Sequence, residues 1–246
     1  MYYEKMIISG KVIEVIKSYS KSEVKNNDRG PKTKETDERM KKANERNAVR
    51  KLTRILNTNY RDGDLHIVLT YKKDKRPSPE GAKKEFNNFI RRINYRFKKE
   101  EKECRWLMVT EYKNKAIHHH LIISNPEGLD TVNLCMEQWR KQGMVHATPL
   151  YSRGNYKELA EYLVKETSKT YKEKDGGHMQ RWTSSRNMKK PKIIIRKRKA
   201  GRWSQNPQPK KGYELVKDSV YAGTNGFTGR EYQYYMMLQK EDKRSG

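Results

Sequence analysis

The chain has 246 residues, and its 56 Lys and Arg against 30 Asp and Glu give a formal net charge of +26. This charge indicates a polyanionic partner, nucleic acid first and an anionic membrane surface second. No stretch is long and apolar enough to span a bilayer, no signal peptide is recognised, and two cysteines are too few for a disulfide framework, so we expect a reducing, cytoplasmic location. Since only 33% of the residues are hydrophobic, we expect a compact centre with charged flanks that are partly disordered or ordered by DNA.

The N-terminal region begins with a strand pattern and continues into a basic helix. Residues 5–17 alternate apolar and polar side chains and predict one or two short strands. Residues 18–34 are polar and contain Asn, Asp, Gly and Pro, which is typical of a loop. Residues 34–57 predict a helix whose basic surface is consistent with a solvated face or with one that faces DNA.

The central region alternates strand and helix patterns in the order β-α-β-β-α-β-α. Ser78 and Pro79 form an N-terminal helix signal, and an aromatic and aliphatic stripe follows at helical spacing, which indicates core packing. The order predicts an α+β fold, a central antiparallel or mixed sheet with helices packed on it. The strands are predicted at 64–71, 105–112, 117–124 and 144–151, and the helices at 78–97, 129–141 and 155–169.

The domain organisation follows from where these patterns are strong. We predict a basic N-terminal extension with a helix over 1–60 and a central domain over 61–175. Residues 176–246 show weaker patterning, dense basic clusters and a Gly- and Tyr-rich stretch. We therefore interpret them as a basic C-terminal appendage that contacts DNA.

Three consecutive histidines, residues 118–120, lie in an apolar run of strand length. Side chains alternate faces along a strand, so His118 and His120 point one way, about 7 Å apart, and His119 points the other way with Ile117 and Leu121. Two imidazoles at that spacing can converge on one metal ion, and Glu111 at the end of the preceding strand could complete the site. The alternative is that the histidines are ordinary sheet residues that are hydrogen-bonded to their neighbours.

The helix over 155–169 carries a tyrosine beside its apolar stripe. Tyr162 lies off the stripe formed by Tyr156, Leu163 and neighbouring residues, and Lys165 follows one turn later on the same side. Such a pair could be presented to a neighbouring site. The alternative is a half-buried surface tyrosine and a solvated lysine, in a chain with 16 tyrosines.

Taken together, these motifs resemble the HUH endonuclease superfamily, and specifically its rolling-circle replication initiators of the phage, plasmid and Gram-positive mobile-element type. The motifs occur in the family's order: IVLTY (67–71), EYKNKAIHHHLII (111–123) and YLVK (162–165). His119 departs from the apolar or aromatic residue usual between the paired histidines. The resemblance covers roughly 64–191, including WTSSRNMKKP, and implies a ferredoxin-like, palm-like HUH fold.

The resemblance also implies a chemistry. Tyr162 would be the nucleophile in DNA nicking and strand transfer, leaving a 5′-phosphotyrosine link and a free 3′-hydroxyl, and Lys165 would steady the phosphate or the phenolate. A divalent metal, Mn²⁺ or Mg²⁺, would bind Glu111, His118 and His120, since two imidazoles and a carboxylate suit these ions and the phosphate needs open positions. The expected substrate is single-stranded or hairpin origin DNA.

Basic residues near the C-terminal boundary are the candidate DNA contacts, with Trp182 and Trp203 interpreted either as base-stacking residues or as core. No Gly-x-x-x-x-Gly-Lys-Ser/Thr loop is present, so we expect a host or element helicase and replication machinery as partners. The candidate DNA contacts are Arg181, Trp182, Arg186, Lys189, Lys190, Arg196 and Arg198.

Three other interpretations stay open at this stage. A conjugative relaxase would use a tyrosine near the N-terminus, where Tyr2 and Tyr3 lie. A single-stranded DNA transposase often carries Gln four residues after its tyrosine, where this chain has Glu166. A non-catalytic nucleic-acid-binding protein would use the charge alone and keep the histidines in its core.

Overall fold

A computed structural model describes most of the chain, and two compact units emerge from it. We call residues 45–189 the central unit, and residues 1–44 with 190–246 the terminal unit. No helix in the described parts of the chain combines the length and the apolarity needed to cross a membrane. The described residues are 1–19, 38–113, 116–171, 181–216, 218–225 and 229–241.

The terminal unit joins the two ends of the chain in one six-stranded antiparallel sheet. A hairpin of β1 and β2 turns at Gly10, whose φ of 56° is in the left-handed region that glycine adopts without steric cost. The order is β10-β11-β2-β1-β8, with β9 paired to β11. The strands are β1 Tyr2–Ser9, β2 Val12–Ser18, β8 Lys192–Arg198, β9 Tyr213–Leu215, β10 Tyr221–Thr224 and β11 Glu231–Gln239.

These pairings change the predicted organisation of the chain ends. The predicted ranges 1–60 and 176–246 were separate extensions, whereas β1 and β2 pair directly with β8 and β11. Met6, Val15 and Met237 pack in a shared apolar cluster. The partners are nearly two hundred residues apart, so no local pattern reveals the pairing. Most of the predicted loop over 18–34 and the predicted boundary at 175/176 lie outside the described residues.

The central unit has an α+β fold, which confirms the predicted class. Its five-stranded antiparallel sheet has the order β6-β3-β5-β4-β7, so the histidine strand β5 lies at the centre between β3 and β4. α1 begins before residue 45 and continues into this unit. The elements are α1 Glu38–Asn59, β3 Leu65–Thr70, α2 Pro79–Lys99, β4 Trp106–Lys113, β5 Ala116–Ile123, α3 Thr131–Trp139, β6 Val145–Pro149, α4 Lys157–Tyr171 and β7 Thr183–Ser184.

Helices cover both faces of this sheet. On one face, the buried side chains of α2 and α3 pack with alternate residues of β3 and β5; we call this the apolar face. It includes Ile67, Phe86, Phe89, Leu121 and Trp139. On the other face, α1 and α4 bury Leu52, Leu107, Ile122, Tyr156 and Leu163. We call this second face the site face, because the polar side chains described below lie on it.

The N-terminus of α2 forms as the sequence predicts. The Ser78 hydroxyl accepts a hydrogen bond from the backbone N–H of Gly81 at 3.2 Å, and Pro79 occupies the first turn. The cap satisfies one of the backbone donors that a helix start leaves without an intrahelical partner.

A close approach to Gly143 fixes the end of β3. A Cβ atom at Gly143 would lie 1.9 Å from the carbonyl oxygen of Thr70, so only glycine fits there. The same carbonyl accepts a hydrogen bond from Trp139 Nε1 at 2.8 Å. These contacts hold Thr70 and Tyr71, the end of the first predicted motif, against α3.

Candidate functional site

The three histidines separate onto the two faces of β5, as the strand alternation predicts. His119 is 1% exposed on the apolar face, where its ring nitrogens contact Tyr71 Oη at 2.9 Å and Thr110 Oγ1 at 3.0 Å. His118 and His120 lie on the opposite face. The central histidine is therefore a structural residue, and the two outer histidines are available to a site.

The predicted third member, Glu111, lies directly opposite the histidine pair. β4 and β5 are in a register that pairs Glu111 with His118. Glu111 Oε2 is 3.2 Å from His120 Nε2 and 3.6 Å from His118 Nδ1. Glu111 and His120 are buried, whereas the His118 side chain is 31% exposed. One carboxylate oxygen thus joins both imidazoles, with His118 on the solvent side.

A fourth side chain, His66 on β3, completes this cluster and was not predicted from the sequence. Its Nε2 lies 3.2 Å from His120 Nδ1, and the two rings are stacked with centroids 5.4 Å apart. His120 therefore has a hydrogen-bonding neighbour at each ring nitrogen, Glu111 on one side and His66 on the other. The signal was its even position in the alternating run LHIVLT, which places it on the face opposite Leu65 and Ile67.

Burial keeps these imidazoles neutral. Desolvation, followed by the neighbouring His120, lowers the pKa of His66 to about 4. Desolvation and then His118 lower the pKa of His120 to about 4, while Glu166 acts in the opposite direction. Neutral imidazoles present nitrogen lone pairs at neutral pH, which is the state that a metal ligand requires.

Helix α4 places Tyr162 beside the imidazoles. Ala160, Leu163 and Val164 are buried, whereas Tyr162 lies off this stripe and is 43% exposed. Its ring is 5.4 Å from the His120 ring and 6.3 Å from the His66 ring, edge-on to both. The predicted presentation of Tyr162 to a neighbouring site agrees with this geometry.

The acidity of the Tyr162 phenol depends on two carboxylates. Burial raises the pKa of Tyr162, and Glu166 and Glu111 raise it further. Glu166 is 9% exposed and follows Tyr162 by one helical turn. Sequence reasoning gave it no role at the site. The phenol is therefore protonated at neutral pH and has to lose its proton before it can act as a nucleophile.

Lys165 is exposed one turn after Tyr162. Within the described residues, no contact joins it to Glu111 or to the imidazoles. Its position is open to an incoming anion from solvent, and its predicted role stays a prediction.

The donor types at the cluster fit a divalent cation. Two imidazoles and a carboxylate suit Mn²⁺ or Mg²⁺ chemistry. As they stand, however, the donors contact one another, and no group of three His, Cys, Asp or Glu side chains in the described ranges has an arrangement that could hold a metal ion. Glu111 would have to move away from His120 Nε2 to admit a cation, so the metal assignment to Glu111, His118 and His120 stays a proposal.

The predicted DNA contacts are divided between the two units. Arg181, Trp182, Arg186 and Lys189 belong to the central unit. This segment continues from β7, and Lys189 N–H donates to Asn59 Oδ1 at 2.7 Å while Asn59 Nδ2 donates to the Lys189 carbonyl at 2.9 Å. The segment is therefore part of the central unit, on α1, instead of a separate appendage.

The two candidate base-stacking tryptophans have different surroundings. Trp182 is half-buried against the core of the site face, and Lys51 Nζ lies 5.9 Å from its ring centre. Trp203 is buried in the terminal unit between Tyr2 and Tyr19, with ring centroids at 5.3 and 4.6 Å. The base-stacking interpretation of Trp203 is wrong, because its ring is already packed in the protein.

The remaining predicted DNA contacts lie in the terminal unit. Lys190 and Arg196 are exposed. Arg198 is half-buried and donates a hydrogen bond to Glu4 Oε1 at 2.5 Å, which raises the pKa of the guanidinium. Lys190 and Arg196 are thus accessible to phosphate, whereas the charge of Arg198 is already paired with a carboxylate.

The comparisons with known proteins add one match. No curated protein and no solved structure matches the chain. A family model described as replication-associated protein ORF2 matches residues 64–171, somewhat less than half of the chain. That range starts one residue before β3 and ends with α4, so it contains every side chain of the cluster and Tyr162. The central unit is therefore similar to replication-associated proteins of the ORF2 type, which indicates a replication-related function.

Proposed function

We propose that this protein is a rolling-circle replication initiator of the HUH type, which nicks and rejoins single-stranded origin DNA through a 5′-phosphotyrosine intermediate. The observation that carries the proposal is the position of the half-exposed Tyr162 ring, 5.4 Å from His120 in the cluster of Glu111, His118 and His66. The match to replication-associated proteins over the same residues supports it.

Glu111, His118 and His120 would hold the divalent cation, Mn²⁺ or Mg²⁺. When bound, such an ion supplies Lewis acidity to the non-bridging oxygens of the scissile phosphate. His66 would act through His120: when Nε2 of His120 is a ligand, its Nδ1 carries the proton and donates it to His66 Nε2. A hydrogen bond of this kind fixes the tautomer and the orientation of a metal-binding imidazole.

The covalent step is an exchange of one phosphoester for another. The Oη atom of Tyr162 bonds to phosphorus as the bond from phosphorus to the 3′ oxygen breaks. The phenol proton leaves to solvent, and the departing 3′ oxygen takes up a proton to become a hydroxyl. Lys165 neutralises charge on the phosphate or on the phenolate. Attack of a 3′-hydroxyl on the phosphotyrosine reverses the exchange and rejoins DNA.

The substrate and the partners follow from the same proposal. A duplex restrains the scissile linkage, so the substrate is single-stranded or extruded as a hairpin at the origin. The basic excess binds its phosphates, and the exposed Arg186, Lys189, Lys190 and Arg196 are accessible contacts. Strand separation and synthesis come from a helicase and the replication machinery of the host or element.

The first experiment tests for the covalent intermediate. Labelled single-stranded DNA from the protein's own locus is incubated with the protein in Mn²⁺ or in EDTA, and adducts that survive SDS are counted. We expect an adduct in Mn²⁺ that is absent in EDTA and lost in Tyr162→Phe. Tyr151→Phe is the matched control, since Tyr151 is 77% exposed and equally able to react in principle.

Two outcomes would redirect the proposal. An adduct that persists in Tyr162→Phe would keep the reaction but move the nucleophile. Tyr156 and Tyr2 are poor replacements, because both rings are buried and Tyr156 Oη donates to Asp62 Oδ1 at 3.0 Å. DNA binding without an adduct on any hairpin from the locus would favour a non-catalytic binding protein. The burial of Tyr2 also weighs against the relaxase alternative, which needs an accessible N-terminal tyrosine.

A further inference from the structure

The outer surface of α2 is strongly basic and lies apart from the cluster described above. Phe86, Phe89 and Ile93 bury the inner side of α2 on the apolar face of the sheet. His118, His120 and Tyr162 belong to the opposite face. Between Phe86 and Lys99 the helix contains no acidic residue. The outer side of α2 therefore presents positive charge that the candidate nicking site does not use.

A cavity of ≈390 Å³ opens on this surface, and we call it the arginine cavity. It is lined by Arg91, Arg92, Tyr95 and Arg96 of α2 and by Gln138 of α3. None of these lining residues carries a carboxylate. Tyr95 is 68% exposed, although a tyrosine ring is a large apolar surface to leave in water. The cavity thus combines an accessible aromatic ring with three guanidinium groups.

One of the arginines is held in place by neutral partners. Arg92 Nε donates to Gln138 Oε1 at 2.9 Å, and Arg92 Nη2 donates to the Gln138 carbonyl at 3.1 Å. Arg91 Nη2 lies 3.4 Å from Asn88 Oδ1, again a neutral acceptor. These contacts orient the guanidinium groups without neutralising their charge. An anion entering the cavity would therefore meet donors that are already positioned.

The spacing of the arginines also points to an anionic ligand. Arg92 and Arg96 are four residues apart on one helix, so like charges face each other and destabilise the helix. Arg91 and Tyr95 have the same spacing, which places a cation beside the ring. A phosphate bound among the guanidinium groups would relieve the repulsion, and the ring beside it would cover a planar group.

We propose that the arginine cavity binds a nucleotide of single-stranded nucleic acid, with an unpaired base stacked on Tyr95 and its phosphates on Arg91 and Arg96. An aromatic platform among basic side chains is how proteins bind single strands without sequence preference. An acidic peptide would use the arginines but leaves the exposed ring without a planar partner. The proposal is independent of nicking, because it uses none of the side chains on the site face.

Photocrosslinking reads out this cavity directly. Single-stranded DNA containing 5-iodouracil is irradiated with full-length Tyr162→Phe protein in EDTA, so that no cleavage contributes, and the modified peptide is identified by mass spectrometry. We expect an adduct on Tyr95. In binding titrations with the same DNA, Tyr95→Ala weakens affinity about tenfold and Tyr95→Phe less than twofold, since stacking needs the ring and not the hydroxyl.

A matched charge control separates a site from general attraction. Arg91→Ala/Arg96→Ala lowers the slope of log affinity against log salt by about 1.4, the value for two phosphate contacts on a single strand. Lys83→Ala/Lys84→Ala removes the same charge from exposed positions earlier on α2 and leaves the Tyr95 adduct intact. Equal effects of the two double variants, no adduct on α2, or displacement of DNA from Tyr95 only by a polyglutamate peptide would overturn the proposal.

Discussion

The two faces of the five-stranded sheet use the same strands for opposite purposes. On the apolar face, His119 is enclosed by the rings of Phe86, Tyr71 and Trp139 and is hydrogen-bonded at both nitrogens. On the site face, the adjacent His120 contacts Glu111 and His66 beside the half-exposed Tyr162. Adjacent residues of identical chemistry therefore have different roles, and the difference comes only from strand alternation.

This comparison teaches how a polar site is tolerated in a sheet that also supplies the core. The apolar face gives α2 and α3 a continuous surface to pack on, which stabilises the fold. The site face is closed by α1 and α4 around buried side chains such as Leu163, and it leaves the ends of β3, β4 and β5 to titratable groups. Substitutions on the two faces should accordingly separate stability from activity.

The largest expected effect is loss of stability on the apolar face. Phe89→Ala removes a fully buried ring and should lower the free energy of unfolding by about 3–5 kcal/mol, measured by urea denaturation. Asn87→Ala, exposed on the same helix, should change it by less than about 0.5 kcal/mol. A small effect of Phe89→Ala would mean that α2 contributes little to the core.

The next effect is loss of activity on the site face. His118→Ala should reduce the rate of Mn²⁺-dependent adduct formation by about 100-fold, because a proposed cation ligand is lost. The free energy of unfolding should change by less than about 1 kcal/mol, since this side chain is partly exposed. His146→Ala is the control: His146 is exposed on β6, two strands away on the same face. Equal activity of the two variants would contradict the proposed ligand set.

A smaller effect is expected for the imidazole behind the ligand. His66→Ala should raise the Mn²⁺ concentration for half-maximal adduct formation by about tenfold, because His120 loses the partner that orients it. The maximal rate at saturating Mn²⁺ should stay close to that of the unsubstituted protein. His66→Gln, which keeps a hydrogen-bonding group, should recover part of the affinity. An unchanged Mn²⁺ dependence in His66→Ala would remove His66 from the site.

The smallest effect tests whether the faces are independent. Tyr71→Phe deletes the 2.9 Å contact between Tyr71 and His119 and should lower the free energy of unfolding by about 1 kcal/mol. Adduct formation by the folded variant should change by less than twofold. A tenfold loss of activity without loss of stability would instead mean that His119 communicates with the site through β5.

Local patterns in the sequence were sufficient for the central sheet and for most of the cluster. Alternation along β5 separated His118 and His120 from His119, and the short link to β4 placed Glu111 opposite them. Helical spacing put Tyr162 off the apolar stripe of α4. Each inference rests on a repeat of two or of 3.6 residues, which the chain itself determines.

Only the tertiary structure decided the contacts that join distant segments. His66 meets His120 because β3 pairs with β5 across more than fifty residues, and Trp203 is buried because the ends of the chain form one sheet. The arginine cavity exists because α3 brings Gln138 against α2. Strand register and helix packing depend on the free energy of the whole fold, so no local repeat in the sequence records them.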